Sequence, residues 1–393
     1  MSRALISRSP DLLRLQNDGY EVDVRSGHLL VHSVPYVNAR GEIALGCAVS
    51  ELTLAGDVTS RPGSHIVMFV GEHPCNRDGS EILQIKHQSH TMALAADLVA
   101  QHSFSNKPPQ GYADYYEKMT RYIEIISAPA MSLRTDVTPR TYKVIEAAAD
   151  DGVFNYVDTA STRAGIGAIT AKLAMRRVAI VGLGGTGSFL LDLLAKTPVQ
   201  EIHLYDGDLF LQHNAFRAPG AASIEELRDR PSKVAYHRAN YAQMRRGIHA
   251  HREYIGEDNV SQLQGFDFVF LCMDTGPAKK LIIDALHAAN TPFIDTGLGV
   301  QMLEDSLELW AICRVTTSTP AKQDHVARRI SFAVPDEDGD YERNIQIADL
   351  NALTAAYAVI RWKKFCGFYQ DLEHEHDSTY STNCNLLTGD DVP

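Results

Sequence analysis

Residues 178–187 read VAIVGLGGTG, an apolar strand running into glycines at 182, 184, 185 and 187 that open a helix. Gly182, Gly184, Gly185 and Gly187 carry no Cβ to block phosphate oxygens, and the helix that follows, GSFLLDLLAKT, presents unpaired N–H groups and a positive dipole end. Such a turn binds anions without a charged side chain. The next strand, EIHLYD, ends at Asp206, 19 residues after Gly187, where a carboxylate accepts hydrogen bonds from ribose hydroxyls in a Rossmann-type βαβ unit. Taken alone, this pattern fits an NAD site as well as an ATP site.

Polar residues downstream separate the two. Asn214 and Arg217 form an Asn-x-x-Arg pair, Lys233 opens a helical pattern after Pro231, and Asp274 follows the apolar strand DFVFLC. Two cations at the β and γ phosphates, with one carboxylate left for Mg²⁺, are the parts needed to expel pyrophosphate when a carboxylate attacks the α-phosphate. A dinucleotide has only two bridging phosphates and needs no such set. The residues therefore favour ATP with Mg²⁺ at Asp274 over NAD(P), with an oxidoreductase and a non-catalytic nucleotide-binding scaffold as the alternatives.

The stretch from about residue 162 to 319 resembles the ThiF/MoeB/E1 superfamily, whose members adenylate the C-terminal glycine of ubiquitin-like and sulfur-carrier proteins. GLGGTG is similar to its nucleotide loop, Tyr205-Asp206-Gly207-Asp208 to its Asp-x-Asp strand end, NAFR to its Asn-x-x-Arg, Lys233 to its catalytic lysine and Met273-Asp274 to its magnesium aspartate. The resemblance implies that Asp206 and Asp208 contact the nucleotide, that Asn214, Arg217 and Lys233 stabilise phosphate charge, and that a homodimer forms. It also marks Arg163, in STRAGIG, as the arginine that the family delivers to the phosphates, often across the dimer interface.

The chain departs from that pattern at its cysteines. Many relatives hold a structural zinc with two Cys-x-x-Cys pairs, but the six cysteines here, at 47, 75, 272, 313, 366 and 384, form no such pair, so that zinc is not expected. Thioester-forming relatives carry a cysteine in the segment after the antiparallel strands, and residues 316–344 contain none. The chain then either stops at the acyl-adenylate, uses a hydroxyl of Thr316, Thr317, Ser318 or Thr319, Thr317 and Ser318 foremost, with His325 as a base, or brings Cys384 or Cys75 into the site. As a bland alternative, TTST is a polar strand end and Cys384 a solvated tail residue.

The elements that must position these groups follow from pattern. From residue 178 onward strands and helices alternate, as in a doubly wound, Rossmann-like α/β sheet. Before it, residues 10–90 read as short strands divided by Gly, Pro, Asn and Asp clusters, followed by helical patterns at MALAADLVAQH and YADYYEKMTRYIEII. The reading is an α+β domain over residues 1–150 with a recognition role, a linker and arginine-bearing segment over 151–172, and the adenylation domain over 173–393. Leu350, Leu353, Tyr357 and Ile360 recur at helical spacing, marking a late amphipathic helix.

In the first domain, Cys75 beside His73 reads as a turn cysteine, and His87 and His90 as turn or surface residues rather than helical metal ligands with Glu72. EHEHD at 373–377 reads as a solvated acidic run. A formal charge of −12 and the lack of a long apolar segment point away from nucleic acid and membranes and toward a cytoplasmic protein. The expected partners are a ubiquitin-like or sulfur-carrier protein and a downstream transfer partner.

Overall fold

The computed structural model describes residues 2–145, 152–274, 276–332 and 345–391. The chain divides into two compact units, Met1–Ala171 and Lys172–Pro393.

Strands of the first unit are β1 (Glu21–Arg25), β2 (His28–Val37), β3 (Ile43–Glu51), a two-strand ribbon β4 (Leu54–Ala55) and β5 (Val58–Thr59), then β6 (Ile66–Val70), β7 (Lys86–Ala95) and β8 (Leu98–Ser105). Six of them form an antiparallel sheet in the order β1-β2-β3-β6-β8-β7. Helix Tyr115–Leu133 packs on β2 and buries Tyr115, Met119, Tyr122, Ile123 and Ile126, a stripe at helical spacing. Its first turn is capped by Asp114, which accepts a hydrogen bond from the Glu117 N–H at 2.8 Å. The α+β expectation therefore holds.

One local reading does not. MALAADLVAQH belongs to the β7–β8 hairpin. Ala95, Leu98 and Ala100 join Leu30, Val49 and Met68 in a small core, so cross-sheet burial outweighs the helix preference of the alanines. His87 and His90 thus lie on strand β7, with His87 Nδ1 2.9 Å from Ser103 Oγ. Cys75 is buried at the Val37 and Glu81 bridges, its thiol 3.3 Å from the His73 carbonyl, and burial pushes that thiol above its ordinary pKa. Helices Thr159–Arg163 and Gly167–Thr170, in the segment read as a linker, are part of the first unit: Thr162 Oγ1 donates to the Ser26 carbonyl at 3.1 Å.

The second unit is built on eight strands: β9 (Arg177–Val181), β10 (Glu201–Tyr205), β11 (Ile248–His251), β12 (Phe268–Leu271), β13 (Phe293–Leu303), β14 (Glu308–Ser318), β15 (Asp377–Ser381) and β16 (Leu386–Asp390). Their order is β11-β10-β9-β12-β13-β14-β15-β16, parallel as far as β13 and antiparallel beyond it. The chain starts in the middle at β9, winds one way through β10 and β11, then crosses back to β12. Ligands of doubly wound sheets bind at that reversal, outside the carboxyl ends of the strands.

Both faces of the sheet are covered. Val178 and Ile180 face helices Gly185–Ala195 and Ala348–Phe365, while Ala179 and Val181 face helix Pro277–Ala288. The late helix forms as its periodicity predicts, with Leu350 buried and Leu353 and Tyr357 packed against the core, but its buried stripe is centred to one side: Asn351, Thr354, Ala355, Ala358, Val359 and Trp362 also point inward, and Ile360 is 40% exposed. Small residues at 355 and 358 let the two helices approach closely, which outweighs burial of one isoleucine. Among the described residues, no helix is long and apolar enough to cross a membrane.

Candidate functional site

The carboxyl end of β9 leads into the glycine turn at the point where the strand order reverses. Gly182 has φ +94° and its N–H donates to the Tyr205 carbonyl at 2.8 Å; an added Cβ would sit 2.5 Å from the Cys272 carbonyl oxygen. A Cβ on Gly187 would fall 1.9 Å from the Gly182 carbonyl oxygen. These two glycines close the turn against backbone. Gly184, the N-cap of helix Gly185–Ala195, differs: nothing lies within 4 Å of the place its Cβ would take, so the turn is open toward solvent there.

Asp206 shapes the turn from the next strand. It is 7% exposed, and its oxygens accept the Leu183 N–H at 2.7 Å and the Asp208 N–H at 2.9 Å. Lys233 is buried beside it, with Nζ 2.6 Å from Asp208 Oδ2 and 3.5 Å from Asp206 Oδ2. Local sequence explains how the lysine gets there. Ser232 caps helix Lys233–Ala242 by accepting the Ala235 N–H at 3.3 Å, and the Lys233 N–H donates to the Asp208 carbonyl at 2.9 Å. The Lys233 ammonium, and after it the Tyr254 hydroxyl that donates to Asp208 Oδ1, hold the Asp208 carboxyl below its ordinary pKa.

Asn214 and Arg217 lie on the loop that bridges to this helix through Leu209 and Ser232. The Leu211 N–H donates to Asn214 Oδ1 at 2.8 Å, which fixes the amide, while Asn214 Nδ2 and Arg217 Nε are buried donors without a hydrogen-bond partner among the described residues. The Arg217 charge is felt at Asp208. Buried donors left open in this way are costly unless an acceptor arrives, and phosphate oxygens are acceptors only. Asp274 is exposed, past the end of β12 and ahead of helix Pro277–Ala288. The structure therefore gathers Gly182, Gly184, Gly185, Gly187, Asp206, Asp208, Asn214, Arg217 and Lys233 at the carboxyl ends of β9 and β10, with Asp274 following the neighbouring strand β12. Arg163 is exposed on helix Thr159–Arg163 of the first unit.

Thr317 and Ser318 are elsewhere. Ser318 pairs with Phe293, Phe293 with Val269 and Val269 with Ala179, so the run lies three strands across from the turn, about 14 Å, and about 10 Å back toward the opposite end of the sheet. Both residues are buried, and Ser318 Oγ is 3.0 Å from His287 Nε2. His325 is fully buried, and its Nε2 is 2.9 Å from the Thr317 carbonyl rather than a hydroxyl. Burial lowers its pKa. Cys384 is exposed in the β15–β16 hairpin, four strands and about 19 Å across from β9. In the EHEHD run, Glu375 pairs with Arg361 and with Lys364 at 3.1 Å, and Asp377 accepts from Thr316 Oγ1 at 2.6 Å. Residues 333–344 of the segment read as cysteine-free lie outside the described residues.

Three supporting residues escaped the sequence reading. Tyr254 covers Gly207, where a Cβ would lie 2.5 Å from the ring, and braces Asp208. Asn351 is fully buried against the glycine turn: its Oδ1 accepts from Thr186 Oγ1 at 2.9 Å, and a Cβ on Gly185 would meet its Nδ2 at 2.0 Å. An asparagine beside the apolar positions of the late helix was the available signal for Asn351; Tyr254 had none. His237, one turn after Lys233, is buried, and burial with the Lys233 charge lowers its pKa to about 4. Between pH 6.5 and 4 the unfolded chain binds a proton that the folded chain refuses, so stability falls as pH drops, by up to about 1.4 kcal/mol per pH unit. Urea unfolding of wild type and His237→Gln across that window should show a shallower slope in the variant; equal slopes would assign the acid sensitivity to another group.

The ThiF family model matches residues 158–320, and a domain of unknown function, DUF6791, matches residues 10–159. The mouse protein "Adenylyltransferase and sulfurtransferase MOCS3" is 32% identical over 126 residues, covering 31% of this chain and 27% of that protein, so the chain spans about a quarter of its relative. Among solved structures, PaaA aligns with TM-score 0.45 and 18% identity over 57% of this chain and 75% of that one. Escherichia coli MccB with ATP aligns with TM-score 0.43 and 17% identity over 57% and 66%. The chain thus carries a ThiF family domain, with a separate DUF6791 domain before it.

Proposed function

We propose that this chain uses ATP and Mg²⁺ to adenylate the C-terminal carboxylate of a ubiquitin-like or sulfur-carrier protein, as a cytoplasmic homodimer. One observation carries the reading: a buried lysine and two unpartnered buried donors, Asn214 Nδ2 and Arg217 Nε, gather at a glycine turn that is open only at Gly184. A dinucleotide needs no such cationic set. The glycine turn and the N-terminus of helix Gly185–Ala195 take phosphate oxygens, Asp206 and Asp208 take ribose hydroxyls, and Asn214, Arg217 and Lys233 take the charge that builds on the departing pyrophosphate. Asp274 would hold Mg²⁺, which supplies further neutralisation of the triphosphate. Arg163 of the partner protomer completes the cation set.

In the reaction the carrier carboxylate oxygen bonds to the α-phosphorus, the bond to the β-bridging oxygen breaks, and pyrophosphate leaves. The protein supplies position and charge rather than a nucleophile of its own. Of Thr317, Ser318 and Cys384 as acceptors for a later transfer, Cys384 alone is exposed. The N-terminal unit serves recognition of the carrier or of a downstream transfer partner.

Two measurements test this. Purified chain should bind ATP with Mg²⁺ in calorimetry, and should exchange labelled pyrophosphate into ATP when given a ubiquitin-fold protein or peptide ending in Gly-Gly. Binding of NADH with no binding of ATP overturns the nucleotide assignment whatever the carrier. Tight ATP binding that survives loss of both Asn214 and Lys233 to alanine overturns the roles given to them.

A further inference from the structure

At the β11 edge of the second sheet, beside the strand that leads into the glycine turn, histidines crowd two paired strands. Glu201 and His203 stand on β10, and His249 and His251 on the edge strand β11. His203 pairs directly with His249 in the parallel ladder, their rings stacked with centroids 4.6 Å apart. One donor atom each from Glu201, His203 and His249 lies within 4.8 Å of the others. Among the described residues this is the one group of three or more such side chains so placed. We propose that Glu201, His203 and His249 form a binding site for a divalent transition-metal ion, zinc by donor chemistry, that ties the edge strand β11 to β10.

The arrangement is built from within. His203 is 8% exposed, with Phe266 edge-on at 4.9 Å, and its Nδ1 is 2.9 Å from His251 Nε2. His251 is in turn stacked on Tyr205 at 4.3 Å, and its Nδ1 lies 4.0 Å from Glu253. With an ion bound, an Nδ1–H donated to His251 would free the His203 Nε2 lone pair for the metal, the outer-shell device that fixes the tautomer and ring orientation of a metal-bound histidine. His203 Nε2 and Glu201 Oε2 are already 3.4 Å apart. Two donors on one tetrahedral zinc, at bonds near 2.05 Å, stand about 3.4 Å apart. His249 is exposed and Glu201 half-buried, so both can rotate inward, and water fills the fourth position. Imidazole nitrogens with one carboxylate suit zinc over calcium or magnesium, which prefer all-oxygen sets.

Arg177 is the group the ion displaces. Its Nε is 3.4 Å from Glu201 Oε2, and its guanidinium also rests over the Phe266 ring at 4.5 Å, where it can remain. The site is independent of the nucleotide reading, since none of its three ligands belongs to that machinery.

The test uses the full chain without a histidine tag, stripped with chelator and titrated with ZnCl₂ by calorimetry and with Co²⁺ by visible absorption. Wild type should take up one equivalent, give the intense absorption of four-coordinate Co²⁺, and melt at a higher temperature with zinc. His251→Ala should weaken binding about 10–100-fold, the usual cost of losing an outer-shell partner. His249→Ala, at an exposed position that leaves folding intact, should weaken it at least as far and remove the zinc-dependent rise in melting temperature. His374→Ala, in the remote EHEHD run, should bind as wild type does. The proposal fails if wild type takes up no zinc, if His249→Ala and Glu201→Gln titrate like wild type, or if His374→Ala shows the larger loss.

Discussion

Lys233→Ala should lower pyrophosphate exchange by about 10²–10³, or about 3–4 kcal/mol of transition-state stabilisation. Two effects combine. The ammonium is buried, where water screens it little, so its loss removes a strong stabiliser of charge on the leaving pyrophosphate. The same substitution leaves Asp208 without its 2.6 Å partner and places uncompensated carboxylates at the mouth of the proposed phosphate site. Because the Asp208 side chain is 50% exposed, the cost to folding should be small, about 1 kcal/mol or less. The Asp208 carboxyl should also titrate at higher pH in the variant, since Lys233 is the first cause of its lowered pKa. Exchange rate, thermal melting and ATP calorimetry on one preparation separate these effects. A variant that exchanges at the wild-type rate would remove Lys233 from the chemistry.

Gly187→Ala should damage fold and activity together. The new methyl would lie 1.9 Å from the Gly182 carbonyl oxygen and 3.2 Å from Cys272 Cβ, and neither neighbour is a flexible side-chain end. Gly182 cannot retreat without losing its 2.8 Å bond to Tyr205 and its left-handed φ. Overpacking against backbone at about 3 kcal/mol or more should depress the melting temperature by about 6–12 °C in a unit of this size. ATP binding should vanish with the displaced turn. Gly184→Ala provides the contrast: its Cβ meets nothing within 4 Å among the described residues, so melting should be unchanged while ATP binding weakens, because the methyl would enter the path proposed for the phosphates. Equal melting temperatures for Gly187→Ala and wild type would mean that the turn is not closed in this way.

The strand and turn of residues 178–187, the order of alternating elements and the helix of residues 348–365 were legible because each depends on near neighbours. A strand alternates over two residues, a helix repeats over 3.6, and a glycine turn declares itself in ten letters. The helix β-strand confusion at MALAADLVAQH shows the limit of such local rules: which preference wins there depends on a sheet whose other strands come from residues 21–70. Likewise Ile360 fits the sequence period yet faces solvent, because close packing of Ala355 and Ala358 sets the rotation of the helix.

By itself, the sequence determined the doubly wound second unit and the α+β character of the first, and it supplied the residues at 182–187, 206, 208, 214, 217 and 233 on which the proposed nucleotide site rests. Tertiary structure alone decided that Lys233 is clasped by Asp208, 25 positions earlier, that Asn351 braces the glycine turn from 165 positions away, and that Thr317 and Ser318 fall at the opposite end of the sheet. It also decided that two strands 43 or more residues apart stack His203 against His249. The reason is register: short-range chemistry selects the elements, but strand pairing and helix rotation, set by burial across the whole sheet, determine which side chains meet.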